Sequence, residues 1–252
     1  MDDELLLQKF DVNRACADVH EFNNNKKLGY ALAASDYLVA REFQPYAALT
    51  PDKALCAMLL LDSLWGTQVS RYDRAGDIDT LQTLQRLYEK NLGLYQECLS
   101  QLRGVKLESD PDAVCRIASN LFRPLVNEGE THKKHHSFVS KFLHWHAPEH
   151  LPIADSRALR SISSLQRKLG ERQRVAPPTT ASLYHRWIKF YGSLIGALSR
   201  SDGASRLEQQ DRESLPAEFA RSNSLLRILD KVFYMRGEPP RKPTAGSQDA
   251  AP

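Results

Sequence analysis

Residues 137–157 read SFVSKFLHWHAPEHLPIADSR, and the architecture turns on them. On a helix over 137–147, Phe138, Phe142 and Trp145 share one face, as core residues do. Ser137, Ser140, Lys141 and His144 recur at i, i+3, i+4 and i+7 and form a polar stripe, expected to lie free on the other side. Pro148 stops that helix, and Pro152 holds the following residues extended. Asp155 then stands where a second helix begins at Ser156, to run to about Leu169 and close at Gly170, with Arg157 in its first turn. A carboxylate in that position accepts from unpaired amides at the positive end of the helix dipole. The same geometry also serves as a plain structural cap, so the surroundings must decide between the two uses.

On either side of this stretch, helical periodicity dominates and strand-like alternation is rare, which predicts an all-α chain. Thr50 and Pro51 open a helix through the apolar run 54–65, closed by Gly66. Asp110 and Pro111 open one through Leu121, which Pro124 is expected to kink or end. Residues 77–104 read as two helices broken near 91–93, with Leu81, Leu84, Leu87 and Tyr88 on one core face. Thr180 caps a helix through Ala197, and Ser214 with Pro216 is read as opening another that runs to Gly237. The expected organisation is one helical domain over 1–237, built from an N-terminal lobe (1–108) and a central and C-terminal lobe (109–237). Residues 238–252 carry four prolines among small polar residues and are expected to be disordered.

A 252-residue chain that is 42% hydrophobic can bury a full core. No run of about 18 apolar residues occurs, and Asp2, Asp3 and Glu4 are acidic where a secretory signal is basic, so a cytoplasmic protein without a membrane span is expected. Cys16, Cys56, Cys98 and Cys115 lie far apart with no CxxC pair, which predicts buried reduced thiols. The net charge of +3 conceals an asymmetry: residues 1–80 hold 8 Lys/Arg against 13 Asp/Glu, whereas 157–200 hold 9 against Glu171 alone. The second half suits a polyanion, although a solvated helix face has the same composition.

Helix, proline-containing loop, then Pro-Ile-Ala-Asp opening a helix resembles the segment of helix-hairpin-helix DNA glycosylases that carries their catalytic aspartate. More closely, Ser-Lys-Phe-Leu-His-Trp followed by Pro-Glu-His-Leu-Pro-Ile-Ala-Asp-Ser-Arg is similar to a bacterial group with an 8-oxoguanine-glycosylase-type fold. LLLDSLWGTQVSRYD around Trp65 and LLRILDKVFYM around Asp230 resemble that group's terminal helices. The resemblance implies two packed lobes with a cleft, double-stranded DNA as partner with one base turned out of the helix, and no cofactor, metal or obligatory protein partner. It implies Asp155 as the catalytic carboxylate, stabilising an oxocarbenium-like transition state and orienting or deprotonating water.

Trp65, Tyr72 and Trp145 are the candidate aromatic walls of a base pocket, Gln68 and His144 its edge readers, and Ser137 and Ser140 further substrate contacts. Lys133, Lys134, His135, His136, Arg157 and Arg160 are candidate DNA contacts. The group's Gly-x-Gly hairpin turn is reduced here to Gly129, which leaves phosphate binding there to side-chain charge. Members with a lyase activity place a lysine about eighteen or nineteen residues before the aspartate, a position occupied here by Ser137 or His136. A monofunctional enzyme leaving an abasic site is therefore expected, with Lys141 a phosphate or base contact or a chemical participant. The excised base is left open between an oxidised purine and a bulky modified pyrimidine, such as phages carry, which would make the protein antiviral.

Two alternatives stand beside this reading. Six of the eight histidines fall between His132 and His150, which suggests a metal-dependent nuclease with His135, His136, His144, His146 and Asp155 as ligands. Against it, His144 and His146 point about 200° apart on one helix. The other is a non-catalytic DNA-binding module in which Asp155 is only a cap.

Overall fold

The computed structural model describes residues 2–25, 29–65, 79–126, 135–178, 180–219 and 223–237, and among these every regular element is helical. In chain order they are α1 (Asp3–Phe10), α2 (Val12–Asn24), α3 (Gly29–Glu42), α4 (Pro51–Leu64), α5 (Asp79–Lys90), α6 (Leu92–Leu102), α7 (Pro111–Val126), α8 (His136–His146), α9 (Ser156–Lys168), α10 (Ala181–Ser199), α11 (Gly203–Ser214), a short 3-10 turn (Ala217–Phe219) and α12 (Leu225–Arg236). No helix among the described residues is long and apolar enough to cross a membrane. Gln68, Tyr72, Lys133, Lys134, Gly129, Gly66 and the tail 238–252 lie outside the described residues.

Short polar acceptors set half of the twelve α-helix starts among the described residues. Asp2 accepts from the Glu4 and Leu5 amides, Asp110 from Ala113, Thr180 from Leu183 and Ser224 from Arg227. Asp11, in the left-handed region at φ 57°, ends α1 and caps α2 through the Arg14 amide. At the other end of α9, Gly170 takes φ +72°, the conformation glycine adopts most readily after a helix.

One apolar core runs from Leu6 in α1 to Phe233 in α12. α10 packs on α7, while α12 lies against both α2 and α9. The α12–α9 contact is close enough that a Cβ on Gly237 would stand 2.1 Å from the Arg157 carbonyl oxygen. The expected stripe Leu81, Leu84, Leu87 and Tyr88 is buried, and the break between α5 and α6 falls at Asn91.

Three expectations need correction. Ser214 does not open the last helix: it closes α11, with its hydroxyl returned to the Gln210 carbonyl, and Ser224 caps α12 instead. The Ser-x-Pro signal marked the start of a linker, which turns once before α12. Pro124 does not end α7: the helix continues to Val126, at the cost of the backbone bond a proline cannot make. Of the four thiols only Cys98 and Cys115 are buried; Cys16 is half-buried and Cys56 exposed.

A buried polar knot joins α2, α11 and α12. The Lys231 ammonium donates to Asp211 Oδ1 at 2.5 Å and to Asn23 Oδ1 at 3.0 Å, while Asn23 and Asn223 donate to the two Asp211 oxygens. Removing one member of such a set strands the opposite charge. Lys231→Met is expected to lower the unfolding free energy by about 3–5 kcal/mol, read by urea titration. Adding Asp211→Asn should recover part of that loss.

Candidate active site

α8 and α9 meet around the extended segment 151–155, as the sequence requires, but the polar stripe of α8 is not free. Ser140, Lys141 and His144 are buried, along with Phe138, Phe142 and Trp145. The reason is that the returning segment packs across the stripe. The Ser140 hydroxyl donates to the Ser137 carbonyl at 2.9 Å and accepts from the Ala154 amide at 3.0 Å, while His144 Nδ1 lies 2.8 Å from the Leu151 carbonyl. Tyr184 adds a hydroxyl bond to the Pro152 carbonyl at 2.7 Å. These contacts fix the residue at the end of the segment, Asp155.

Asp155 is half-buried and caps α9 as expected. Its Oδ1 accepts from the amides of Arg157 (2.9 Å) and Ala158 (2.8 Å), so the cap uses one oxygen and not Oδ2. Lys141 extends into the same region. Burial pushes its amine below the usual lysine range, while Asp155 and then Asp230 pull it back toward the charged form. Its Nζ stands 5.8 Å from the centroid of the Trp65 ring, and Trp65 meets Trp145 edge-to-face at 5.9 Å.

Behind this pair lie groups that sequence reasoning did not assign. Arg227 on α12 holds Asp36 on α3 through two bonds (2.8 and 3.1 Å), bonds Asp230 one turn along its own helix, and places its guanidinium 4.8 Å from the Trp65 centroid. Burial works against the Arg227 cation, but Asp36 and then Asp230 hold it more firmly protonated than usual. Burial pushes the Asp230 carboxyl up to about 7, against the pull of Arg227 and with Asp155 adding to the rise. Asp230 Oδ1, the Tyr191 hydroxyl and Trp65 Nε1 are buried without a hydrogen-bond partner among the described residues. Tyr191 is held protonated by burial, reinforced by Asp230 and Asp155. The only advance signal was the i, i+3 spacing of Arg227 and Asp230 in an apolar helix, two charges on a face that must be buried.

The chain matches no protein-family model, no curated protein and no solved structure. Its function must therefore be read from its own residues.

The remaining predicted contacts divide. His135 precedes α8 half-buried, and Ser137 offers its carbonyl to Ser140. His136, expected on an exposed basic loop, is buried and stacked on Phe122 because α8 begins one residue early and turns it inward. Arg157 lays its guanidinium 4.2 Å from the Tyr234 ring centroid, and exposed Arg160 donates Nε to the Gly237 carbonyl at 3.0 Å. Within the histidine cluster, His146 Nδ1 lies 3.0 Å from the Ala47 carbonyl, and His150 Nε2 lies 2.7 Å from that of Val105. Among the described residues no three His, Cys, Asp or Glu side chains are grouped to hold a metal ion.

Two buried groups give stability opposite pH dependences. Asp230, raised to about 7, contributes stability fully present below about pH 4 and lost as pH rises through 7. His146, which burial lowers to about 4, contributes stability present above about 6.5 and lost as pH falls through 4. Asp230→Asn deletes the first term, so stability of the variant should climb more steeply between pH 4 and 7, by up to about 1.4 kcal/mol per unit. Urea titrations across that range check this, and parallel profiles would contradict it.

Proposed function

We propose that this chain is a DNA glycosylase that hydrolyses the N-glycosidic bond of a damaged or modified base and leaves an abasic site, on a two-lobed helix-hairpin-helix-like fold. The observation that carries the reading is the placement of Asp155: a half-buried carboxylate at a helix start, with one oxygen committed to the cap and a buried lysine and two tryptophans beside it. As the base departs, positive charge develops on the sugar, and a fixed carboxylate stabilises it without reorganising. Half-buried Trp65, braced by the buried Trp145, is the aromatic surface for a base turned out of the duplex. Behind them, Asp230 Oδ1 and the Tyr191 hydroxyl are buried without a hydrogen-bond partner among the described residues. A bulky modified pyrimidine in phage DNA is the substrate that would give the enzyme a defensive role.

A second reading is favoured by one observation. Burial brings the Lys141 amine nearer its neutral, nucleophilic form beside Asp155. Attack of that amine on the anomeric carbon would expel the base, and loss of a proton with cleavage of the C1′–O4′ bond would open the sugar to an imine, making the enzyme a lyase as well. Borohydride separates the two: a reduced protein–DNA adduct that disappears in Lys141→Arg favours the imine, and base release without an adduct favours water.

Asn caps a helix as well as Asp and lacks the charge. Asp155→Asn should therefore keep DNA affinity within about threefold while base release falls by two orders of magnitude or more. Mass spectrometry of free bases from plain and heavily modified phage DNA provides the readout. Unchanged release by the variant, or no release from any DNA by the wild type, contradicts the proposal.

A further inference from the structure

Away from the Asp155 cluster, a groove of about 920 Å³ is bounded by α9, the α1–α2 junction and the end of α12. Five cations line it, from four helices: Lys9 on α1, Arg14 on α2, Arg160 and Lys168 on α9, and Arg236 on α12. Its one lining carboxylate, Asp11, is turned to the Arg14 amide as a cap. Asp18, behind the wall, fixes Arg14 (3.1 Å) and Arg236 (2.6 Å) in place. Lys9 and Lys168 are exposed and have no carboxylate partner among the described residues.

Like charges gathered in a concave surface repel one another and focus a positive potential, which an anion relieves. The groove is far larger than one phosphate. From Arg160 to Lys168 the helix rises about 12 Å, the axial length of three or four phosphates of one strand. Ser161 and Ser164, on the same face of α9, add hydroxyl groups of the kind that bond phosphate oxygens. α9 also links this groove to the candidate site, since its first residue succeeds Asp155 and its Arg157 carbonyl is pressed by Gly237 on the groove wall.

We propose that the groove binds the sugar–phosphate backbone of DNA, as the track for the strand beside the turned-out nucleotide. The inference rests on the glycosylase reading for its purpose, but its test does not. Binding of a labelled unmodified duplex to full-length protein is measured by anisotropy from 50 to 300 mM salt, for the wild type, Lys9→Ala/Lys168→Ala, and Arg212→Ala on α11 as control. Two lost phosphate contacts should reduce the slope of log K against log salt by about 1.8, with the control unchanged.

An identical slope and affinity in the double variant overturn the proposal. So does inorganic tripolyphosphate that binds the wild type and not the double variant while duplex affinity is the same in both, because the groove then takes a small polyanion. A reduced slope in a protein that releases no base from any DNA overturns the glycosylase reading and leaves the groove assignment standing.

Discussion

A guanidinium sealed inside a helical core must be neutralised where it lies, because moving it out of water costs several kcal/mol. Arg227 meets that demand with Asp36 on α3 and Asp230 on its own helix, and lays its flat face toward Trp65 at the end of α4. Three elements distant in sequence are thereby held in one register. Replacing the set with apolar side chains would remove that desolvation cost, so its presence in the core points to a use for the charges. Lys141 lies in the same field, its amine pushed below the usual range by burial and pulled back by Asp155 and Asp230.

The cluster places unlike groups at different depths. Asp155 reaches toward solvent from a helix start that Ser140, His144 and Tyr184 hold from behind. Lys141 is deeper, its amine pushed below the usual lysine range by burial, and burial raises the Asp230 carboxyl, deeper still, to about 7. A half-buried carboxylate, a buried amine and a buried carboxyl thus lie at successive depths, with the Trp65–Trp145 pair against the amine. The cationic groove lies along the same helix that Asp155 caps.

Much of this was legible in the sequence because it depends on local chemistry. Asp110-Pro111, Thr180 and Asp155-Ser156 marked helix starts that a short acceptor side chain creates wherever it falls. The position of Asp155 came from a helix, a proline-bounded return and a cap, whereas the burial of Lys141 beside it did not. What was not legible depends on distant partners. The α8 stripe reads as solvent-facing until the segment 151–155 folds over it, and His136 reads as a surface contact until Phe122 lies beneath it. Asp36 could not be matched to Arg227, 191 positions away, by any local pattern. The histidines drew attention to a metal, yet each of three is directed to a different backbone carbonyl.

If the cluster around Asp155 is built for base excision, it must favour positive charge at a sugar ring. The sharpest check compares affinity for a duplex carrying one cationic pyrrolidine in place of a deoxyribose with affinity for the same duplex carrying the neutral tetrahydrofuran. The comparison needs no knowledge of the base. At least about tenfold tighter binding of the cationic ring is expected, of the order of one charge-assisted contact, and equal affinity for the two rings would refute the proposed role of Asp155.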